Sequence, residues 1–286
     1  MDDREISYVD LVKVIRNLKP GNGAFYFFNN ACELGNLDLC QACLDAGIDI
    51  NVTEKHSKNT LIMETIINNK LTVKTAEWLI SHGAAVIAKD PYGFTALTFA
   101  CDAGNFELAK FLLEKGAVIR DSDFGKTDLI IAIECGNNQE IVELLLNTGF
   151  YEDKKFELEV AFSRAIDLEL TDIVKVLLEH GVSANTFFYG VPALHDAVEN
   201  RSIDIVKILL ENGADVNAIR KDTASKYRGW YTPLDIVDEK EPIYQLLLKY
   251  GGKATTNEQK KQFEHMIHTG YAYKAFIQIR KMLDED

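Results

Sequence analysis

The sequence predicts an all-α solenoid of stacked helix-turn-helix units joined by hairpin fingers. The first observation is that seven apolar runs each end in a glycine, and these glycines are 36, 33, 33, 32, 32 and 38 residues apart. These glycines are Gly47, Gly83, Gly116, Gly149, Gly181, Gly213 and Gly251. The other is a block that precedes several of these runs, as in "GFTALTFACDAGN", "GKTDLIIAIECGN" and "GVPALHDAVEN". Seven copies of a two-block unit indicate a repeat array, in which neighbouring units bury each other's apolar faces.

Residues 92–118 show how the sequence sets the helices of one unit. Thr95 is placed to cap a short helix, because a threonine oxygen accepts hydrogen bonds from the free N–H groups of the first turn. Gly104 ends that helix, since glycine adopts positive φ without steric cost. A second helix begins at Phe106 and ends before Gly116. One such pair leaves its apolar stripes uncovered, so we expect the unit to be stable only in a stack.

These copies resemble the ankyrin repeat. Its signature Thr-Pro-Leu-His is best matched by "VPALHDAV" at 191–198 and by "YTPLDIV" at 231–237. The resemblance covers residues 24–254, about seven repeats. It implies that partners meet the hairpin tips and the exposed face of each first helix. For His195, in the histidine position of the signature, it implies a structural hydrogen-bonding role.

The two ends of the chain predict caps for the array. Residues 1–23 carry an apolar line at helical spacing and predict an N-terminal capping helix. Residues 255–286 predict C-terminal capping helices or a degenerate eighth repeat, which would cover the last apolar face. Within the array, Asn69 and Glu169 stand where other copies carry the glycine that ends the first helix.

Composition narrows the functional class. The net charge of −13 over 286 residues argues against nucleic acid as the main partner. No apolar run approaches the roughly 18 residues that cross a bilayer, so we expect no membrane insertion. Five cysteines, an odd number, fall in helical blocks and indicate reduced thiols. We expect a cytoplasmic monomer, or a protein secreted into a host cell if the chain is a bacterial effector.

The sequence contains no strong catalytic or metal-binding motif. Cys40 and Cys43 have metal-type spacing, but sister copies carry aliphatic residues such as Val142 in the same place, which favours a core role. His265 and His268 are three residues apart without further ligands nearby, whereas a zinc site needs about four. No phosphate-binding glycine loop or nucleophile motif is present. We therefore expect no catalytic residue, no metal, no cofactor and no enzymatic activity.

The charge is unevenly distributed along the chain. Between Glu134 and Glu179 there are eleven acidic and four basic residues. One interpretation is a solvated face that keeps the protein soluble. The other is an acidic patch that steers a basic protein partner. The sequence leaves both open.

The hairpin positions carry many aromatic and basic residues, which are enriched among the side chains that dominate interface energies. The candidate partner-binding residues are Tyr92, Phe94, Phe124, Lys126, Phe188, Tyr189, Lys226, Tyr227, Arg228, Trp230 and Tyr231. The alternative is that these aromatic rings stack on one another and merely brace the array.

One hairpin is longer than the others, in the stretch "NAIRKDTASKYRGWYTPLDIV" between copies six and seven. From Arg220 to Tyr231 it holds four basic residues and one acidic residue. A repeat array accepts added loop length at little cost, so we expect this basic, aromatic finger to contact a partner. The predicted function is recognition of a protein of unknown identity, as an inhibitor or immunity-type protein. The alternatives are a scaffold or bacterial effector acting on host proteins, and an enzyme with an unrecognised site in the terminal helices.

Overall fold

A computed structural model describes residues 8–17, 22–120, 126–135, 138–222 and 229–256. These residues form fourteen α-helices, one 3-10 helix and two short β-hairpins. The chain divides into two compact units, Met1–Phe150 and Tyr151–Asp286. The predicted fold class is confirmed, because each unit is a stack of helix-turn-helix repeats with little β-structure.

The first unit is built of two rows of helices. The helices are α1 (Tyr8–Arg16), α2 (Asn22–Glu33), α3 (Leu37–Asp45), α4 (Leu61–Ile67), α5 (Val73–Ser81), α6 (Ala96–Asp102), α7 (Phe106–Glu114), α8 (Asp128–Glu134) and α9 (Gln139–Leu146). The first row consists of α2, α4, α6 and α8, each packed on the next. In the second row α5 packs on α7 and α7 on α9. The interior between the rows is filled by aliphatic residues such as Leu97, Leu112 and Leu145, none of which is exposed.

The second unit continues the same plan. Its elements are α10 (Lys155–Asp167), α11 (Thr171–Glu179), β1 (Phe187–Phe188), β2 (Val191–Pro192), α12 (Ala193–Glu199), α13 (Ile203–Glu211), β3 (Arg220–Asp222), β4 (Gly229–Tyr231), the 3-10 helix Pro233–Ile236 and α14 (Pro242–Lys249). The first row runs through α10, α12 and the 3-10 helix, and the second through α11, α13 and α14. The last repeat therefore has a 3-10 turn where the others have an α-helix.

Threonine caps start the first-row helices of the first unit. The Oγ1 atoms of Thr60, Thr95 and Thr127 accept hydrogen bonds from backbone N–H groups in the first turns of α4, α6 and α8. The cap predicted at Thr95 is confirmed. Because such a cap satisfies an N–H group that the helix leaves open, it fixes the residue at which each helix begins.

Left-handed residues follow first-row helices in both units. Gly104 has φ of +65°, which glycine adopts freely. Asn69 and Glu169, the two departures from the glycine pattern, adopt φ of +53° and +57° in the equivalent place. The repeat geometry is thus retained without glycine, at a cost of about 1 kcal/mol for a residue with a β-carbon.

The described part of the N-terminal segment covers α3. Ile15 of α1 is buried, the Tyr8 hydroxyl donates to Asp45 at 2.9 Å, and the Arg16 guanidinium donates to the Asp45 carbonyl oxygen at 3.1 Å. This packing fits a capping role. The boundaries of the predicted caps stay predictions, and residues 257–286 of the C-terminal one lie outside the described residues.

The cysteine pair with metal-type spacing lies in the core. Cys40 and Cys43 are fully buried, as the comparison with sister repeats predicted. Burial raises the pKa of Cys43 to about 12, so its thiol is protonated and unreactive. Within the described ranges, no three His, Cys, Asp or Glu side chains converge in the manner of a metal site. None of the helices in those ranges combines the length and apolar composition that a membrane span requires.

We expect Gly104→Ala to lower the free energy of unfolding by about 1–2 kcal/mol, because a β-carbon is disfavoured at positive φ. That β-carbon would also stand 2.5 Å from Asn138 Nδ2 and force the amide to move. Gly23→Ala is the control, since nothing lies within 4 Å of its β-carbon position and its φ is not in the left-handed region. Denaturant melts of both variants check the expectation, and equal changes would contradict it.

Candidate functional site

The first unit presents a tight hairpin turn at residues 90–94. The Asp90 carboxylate accepts hydrogen bonds from the backbone N–H groups of Tyr92 at 2.9 Å and Phe94 at 2.7 Å. Gly93 supplies the positive φ that the turn requires, at +79°. Because Asp90 fixes the backbone on both sides of the tip, the Tyr92 side chain projects outward and is 76% exposed.

Arg120 links this hairpin to the following one. Its guanidinium donates to the Tyr92 carbonyl oxygen at 3.2 Å and to the Lys126 carbonyl oxygen at 2.8 Å. The guanidinium carbon also lies 4.4 Å from the centre of the Phe94 ring, a cation–π contact. Phe94 itself meets the edge of Phe99 at 5.9 Å between ring centres. Phe94 is therefore held from both sides, whereas Tyr92 remains largely free of the body of the protein.

A buried carboxylate positions Arg120 in turn. Asp128, with no exposed surface, accepts a hydrogen bond from the Thr98 hydroxyl at 2.7 Å and from the Arg120 backbone N–H at 2.7 Å. Burial raises the pKa of this carboxyl above its ordinary value. Neither Arg120 nor Asp128 is among the predicted site residues, because other repeats carry different residues at these positions.

A groove of about 140 Å³ lies between α6 and α8, beside this hairpin. Its apolar lining comes from Phe94, Phe99 and Ile131, and its polar lining from Thr98, Asp102, Lys126, Glu134 and Cys135. The Lys126 ammonium is 3.5 Å from Glu134, and the Cys135 thiol donates to Asp102 at 2.8 Å. Burial and the hydrogen bond to Asp102 raise the pKa of Cys135 to about 12, so this thiol stays protonated.

The hairpin of β1 and β2 presents Tyr189, the most exposed of the predicted aromatic residues whose side chains the structure describes. Phe188 pairs with Val191, which leaves Tyr189 and Gly190 as a two-residue loop with φ of +48° and +81°. Positive φ at both positions is typical of a type I′ turn, which favours asparagine or glycine. Tyr189 is 88% exposed, and its ring centre lies 4.3 Å from that of Phe188. A tyrosine here is exposed and also stands in a backbone conformation that it disfavours.

Tyr231 lies in the core of the second unit, which corrects its assignment as a partner contact. It is 2% exposed and meets the His195 ring edge-on at 5.5 Å. The His195 Nε2 lies 3.2 Å from the Tyr231 carbonyl oxygen, within hydrogen-bonding distance. Pairing of Tyr231 with Arg220 at the base of the β3–β4 hairpin turns the ring onto α12 instead of toward solvent. Burial lowers the pKa of His195 to about 4, so the ring is neutral at neutral pH.

Carboxylates gather on the first row of the second unit. Asp196 is half-buried on α12, and burial together with the charge of Asp167 raises its pKa to about 7. Glu199, one turn further along α12, forms an ion pair with Arg220 at 2.8 Å. Burial is the main reason why the pKa of Asp196 is raised, and the nearby charges of Asp167 and Glu199 add to it while Arg220 opposes it.

The helix rows, the hairpins and the buried His195 agree with what comparison with known proteins finds. A family model of ankyrin repeats (3 copies) matches residues 28–123 and 129–220, more than half of the chain. The chain belongs to the ankyrin-repeat family. Its buried His195 accordingly has the structural role that the resemblance implied.

Two solved ankyrin-repeat structures share the fold. The ankyrin repeat domain of human ASB11 gives a TM-score of 0.62 at 24% identity, covering 80% of this chain and 99% of that one. The ankyrin repeat domain of Bcl-3 gives 0.58 at 23% identity, covering 78% of this chain and 97% of that one. At these identities the likeness shows the fold alone.

Curated relatives are similar over part of the ankyrin array. YahD, an ankyrin repeat protein of Escherichia coli, is 32% identical over 37% of this chain and 57% of its own length. An ankyrin repeat protein of Rickettsia bellii is 32% identical over 30% of this chain and 51% of its own length. The ankyrin repeat and KH domain-containing protein mask-1 of Caenorhabditis elegans is 32% identical over 48% of this chain, which is 5% of mask-1. The chain thus covers no more than 57% of the length of any of these three relatives.

The remaining predicted contacts divide between described and undescribed positions. Phe94 lies in the turn at residues 90–94, Phe188 lies in β1, and Lys126 lies on the groove rim. Phe124, Lys226, Tyr227 and Arg228 lie outside the described residues, as does the side chain of Trp230, whose backbone pairs with Lys221. Their contact roles stay predictions.

Asp196 should make the second unit pH-sensitive. Its pKa is raised in the folded state, so its contribution to stability is present below the ordinary pKa of 3.8 and is lost as pH rises through about 7. We expect Asp196→Asn to reduce this loss, and Asp204→Asn, on the exposed face of α13, to leave it unchanged. Denaturant melts of the three proteins at about pH 5 and pH 8 provide the measurement. The same pH slope in all of them would rule out the assignment.

The two tyrosines should differ in their effect on stability. We expect Tyr231→Ala to lower the free energy of unfolding by about 3 kcal/mol or more, as for other large buried side chains. Tyr189→Asn should leave stability unchanged or raise it by up to about 1 kcal/mol, because asparagine suits positive φ. Urea melts of each variant test this. A large loss from Tyr189→Asn would show that its ring braces the hairpin.

Proposed function

We propose that this ankyrin-repeat protein binds one protein partner through its exposed hairpin tips and the adjoining first-row face, and masks that partner as an inhibitor or immunity-type protein. Ankyrin-repeat domains are in general modules for protein–protein interaction, and the fold of this chain is of that class. The observation that carries the proposal is Tyr189, which is 88% exposed in a backbone conformation that favours asparagine or glycine.

The exposure of the tips argues against a purely bracing role for all hairpin aromatics. Phe94 is held between Arg120 and Phe99, so it does brace its hairpin. Tyr92 lies two residues before Phe94 and Tyr189 lies next to Phe188, yet these tyrosines keep 76% and 88% of their surface exposed. An exposed aromatic ring contributes little to folding but supplies a large rigid contact area when a partner covers it.

The experiment begins by identifying the partner through crosslinking and mass spectrometry with the full chain. The affinity of that partner is then measured by calorimetry for the wild type, Tyr92→Ala and Tyr189→Asn. We expect each variant to lose about 2 kcal/mol or more of binding free energy, as buried interface anchors do. Leu248→Ala, an apolar side chain 43% exposed on the second-row helix α14, is the control and should change it by less than about 0.5 kcal/mol.

The same complex separates the possible roles. Suppression of the partner's own activity at one-to-one stoichiometry supports masking. An unchanged activity with recruitment of a third protein supports the alternative, a scaffold or an effector acting on host proteins. Equal affinity of the tip variants and the wild type would contradict recognition through the hairpin tips.

A further inference from the structure

The first-row helices share an unusual last residue. Among the six described α-helices of this row, five end on a carboxylate and only α4 ends on an apolar residue. The acidic ends are Glu33, Asp102, Glu134, Asp167 and Glu199. The C-terminus of a helix carries partial negative charge, so an acidic residue there weakens the helix slightly. Helix stability therefore does not account for this placement.

Two of these acidic ends flank the groove between α6 and α8. Asp102 is exposed at the end of α6 and Glu134 is half-buried at the end of α8. Between them lies an apolar floor made by the Phe94 and Phe99 rings and by Ile131, which is 7% exposed. At about 140 Å³ the groove is smaller than the roughly 300–1,000 Å³ of a small-molecule pocket, so it suits a single side chain rather than a folded element.

We propose that this groove binds one long cationic side chain, arginine or lysine, of the protein partner. The inference rests on the proposed function and specifies the chemistry of the partner. The methylene stem would lie on the apolar floor, and the charged end would reach the two carboxylates, the division that amphipathic basic side chains prefer. Phe94 already holds the Arg120 guanidinium at 4.4 Å on one side, so the rings of this hairpin suit a cation.

The charges around the groove favour the same occupant. Lys126 lies 3.5 Å from Glu134 and its side chain is 63% exposed, so water screens this ion pair. The Cys135 thiol is protonated and leaves the Asp102 charge uncompensated. Among the described residues that line the groove, two are carboxylates and one is an ammonium group. The net charge of −13 of the whole chain also steers a basic partner toward it.

The test uses the full chain and a displayed library of random dodecapeptides, from which binders are selected. We expect the selected sequences to be enriched in arginine or lysine beside apolar residues. The tightest peptide then serves as the probe. Its dissociation constant should rise about tenfold or more for the double variant Asp102→Asn, Glu134→Gln, because both charges that hold the cation are removed.

A matched double variant controls for net charge. Glu107→Gln with Glu140→Gln removes two exposed carboxylates from α7 and α9 in the second row, so the overall charge changes equally. We expect the probe affinity of this control to change less than about twofold, since distant exposed charges are screened by salt. The groove variant should also melt at the same temperature as the wild type or higher, because it removes acidic residues from helix ends. If the two carboxylates had a structural role instead, the groove variant would lower both the melting temperature and the affinity for the probe peptide.

The outcomes separate this inference from the proposed function. The proposed cation site would be overturned if the two double variants weakened the affinity for the probe peptide equally. It would also be overturned if the selected peptides were apolar or acidic, or if no selected peptide depended on the two carboxylates. If the natural partner still depends on Tyr92 and Tyr189 in that case, recognition through the hairpin tips stands. If it depends on neither tyrosine nor carboxylate, both proposals fail.

Discussion

The Asp128 carboxylate is the buried group that joins α6 to the chain at Arg120 in the first unit. It is fully buried, and a buried carboxylate is tolerated only when hydrogen bonds replace the water that it has lost. One oxygen accepts from Thr98 on α6, and the other accepts from the backbone of Arg120. Arg120, once fixed, holds the turn at Tyr92 and the ring of Phe94. The hairpin and the wall of the groove therefore both depend on this one group.

In the second unit, different residues link a first-row helix to the hairpin that follows it. His195 on α12 lies within hydrogen-bonding distance of the Tyr231 carbonyl oxygen and packs against the Tyr231 ring, which links a first-row helix to the next hairpin. In the last repeat, Asp235 accepts hydrogen bonds from Thr232 and Thr255 and ties the chain after α14 back to the 3-10 helix. In these three repeats a polar side chain of a first-row helix bonds to a segment that lies outside its own helix. A carboxylate, an imidazole or a threonine hydroxyl can take part in such a bond.

The residues of the two proposed binding surfaces are not the ones that the backbone favours at their positions. Tyr189 occupies a turn position that favours asparagine, and Asp102 and Glu134 occupy helix ends that favour cations. Each is a small cost to folding, of the kind that natural proteins bear at functional positions. The rigid rows beneath them keep these side chains in fixed places, which lowers the ordering cost when a partner binds.

The sequence by itself determined the repeat and the family, because these follow from local backbone preferences and from a burial pattern that recurs along the chain. Thr95, Gly104 and the buried Cys40 could all be assigned on that basis. Only the tertiary structure decided that Tyr231 is core, that Asp128 reaches Thr98 and that a groove opens beside Phe94. These depend on which side chains about 30 residues apart meet once the repeats stack, and repeat periodicity does not specify the partners of the residues that vary.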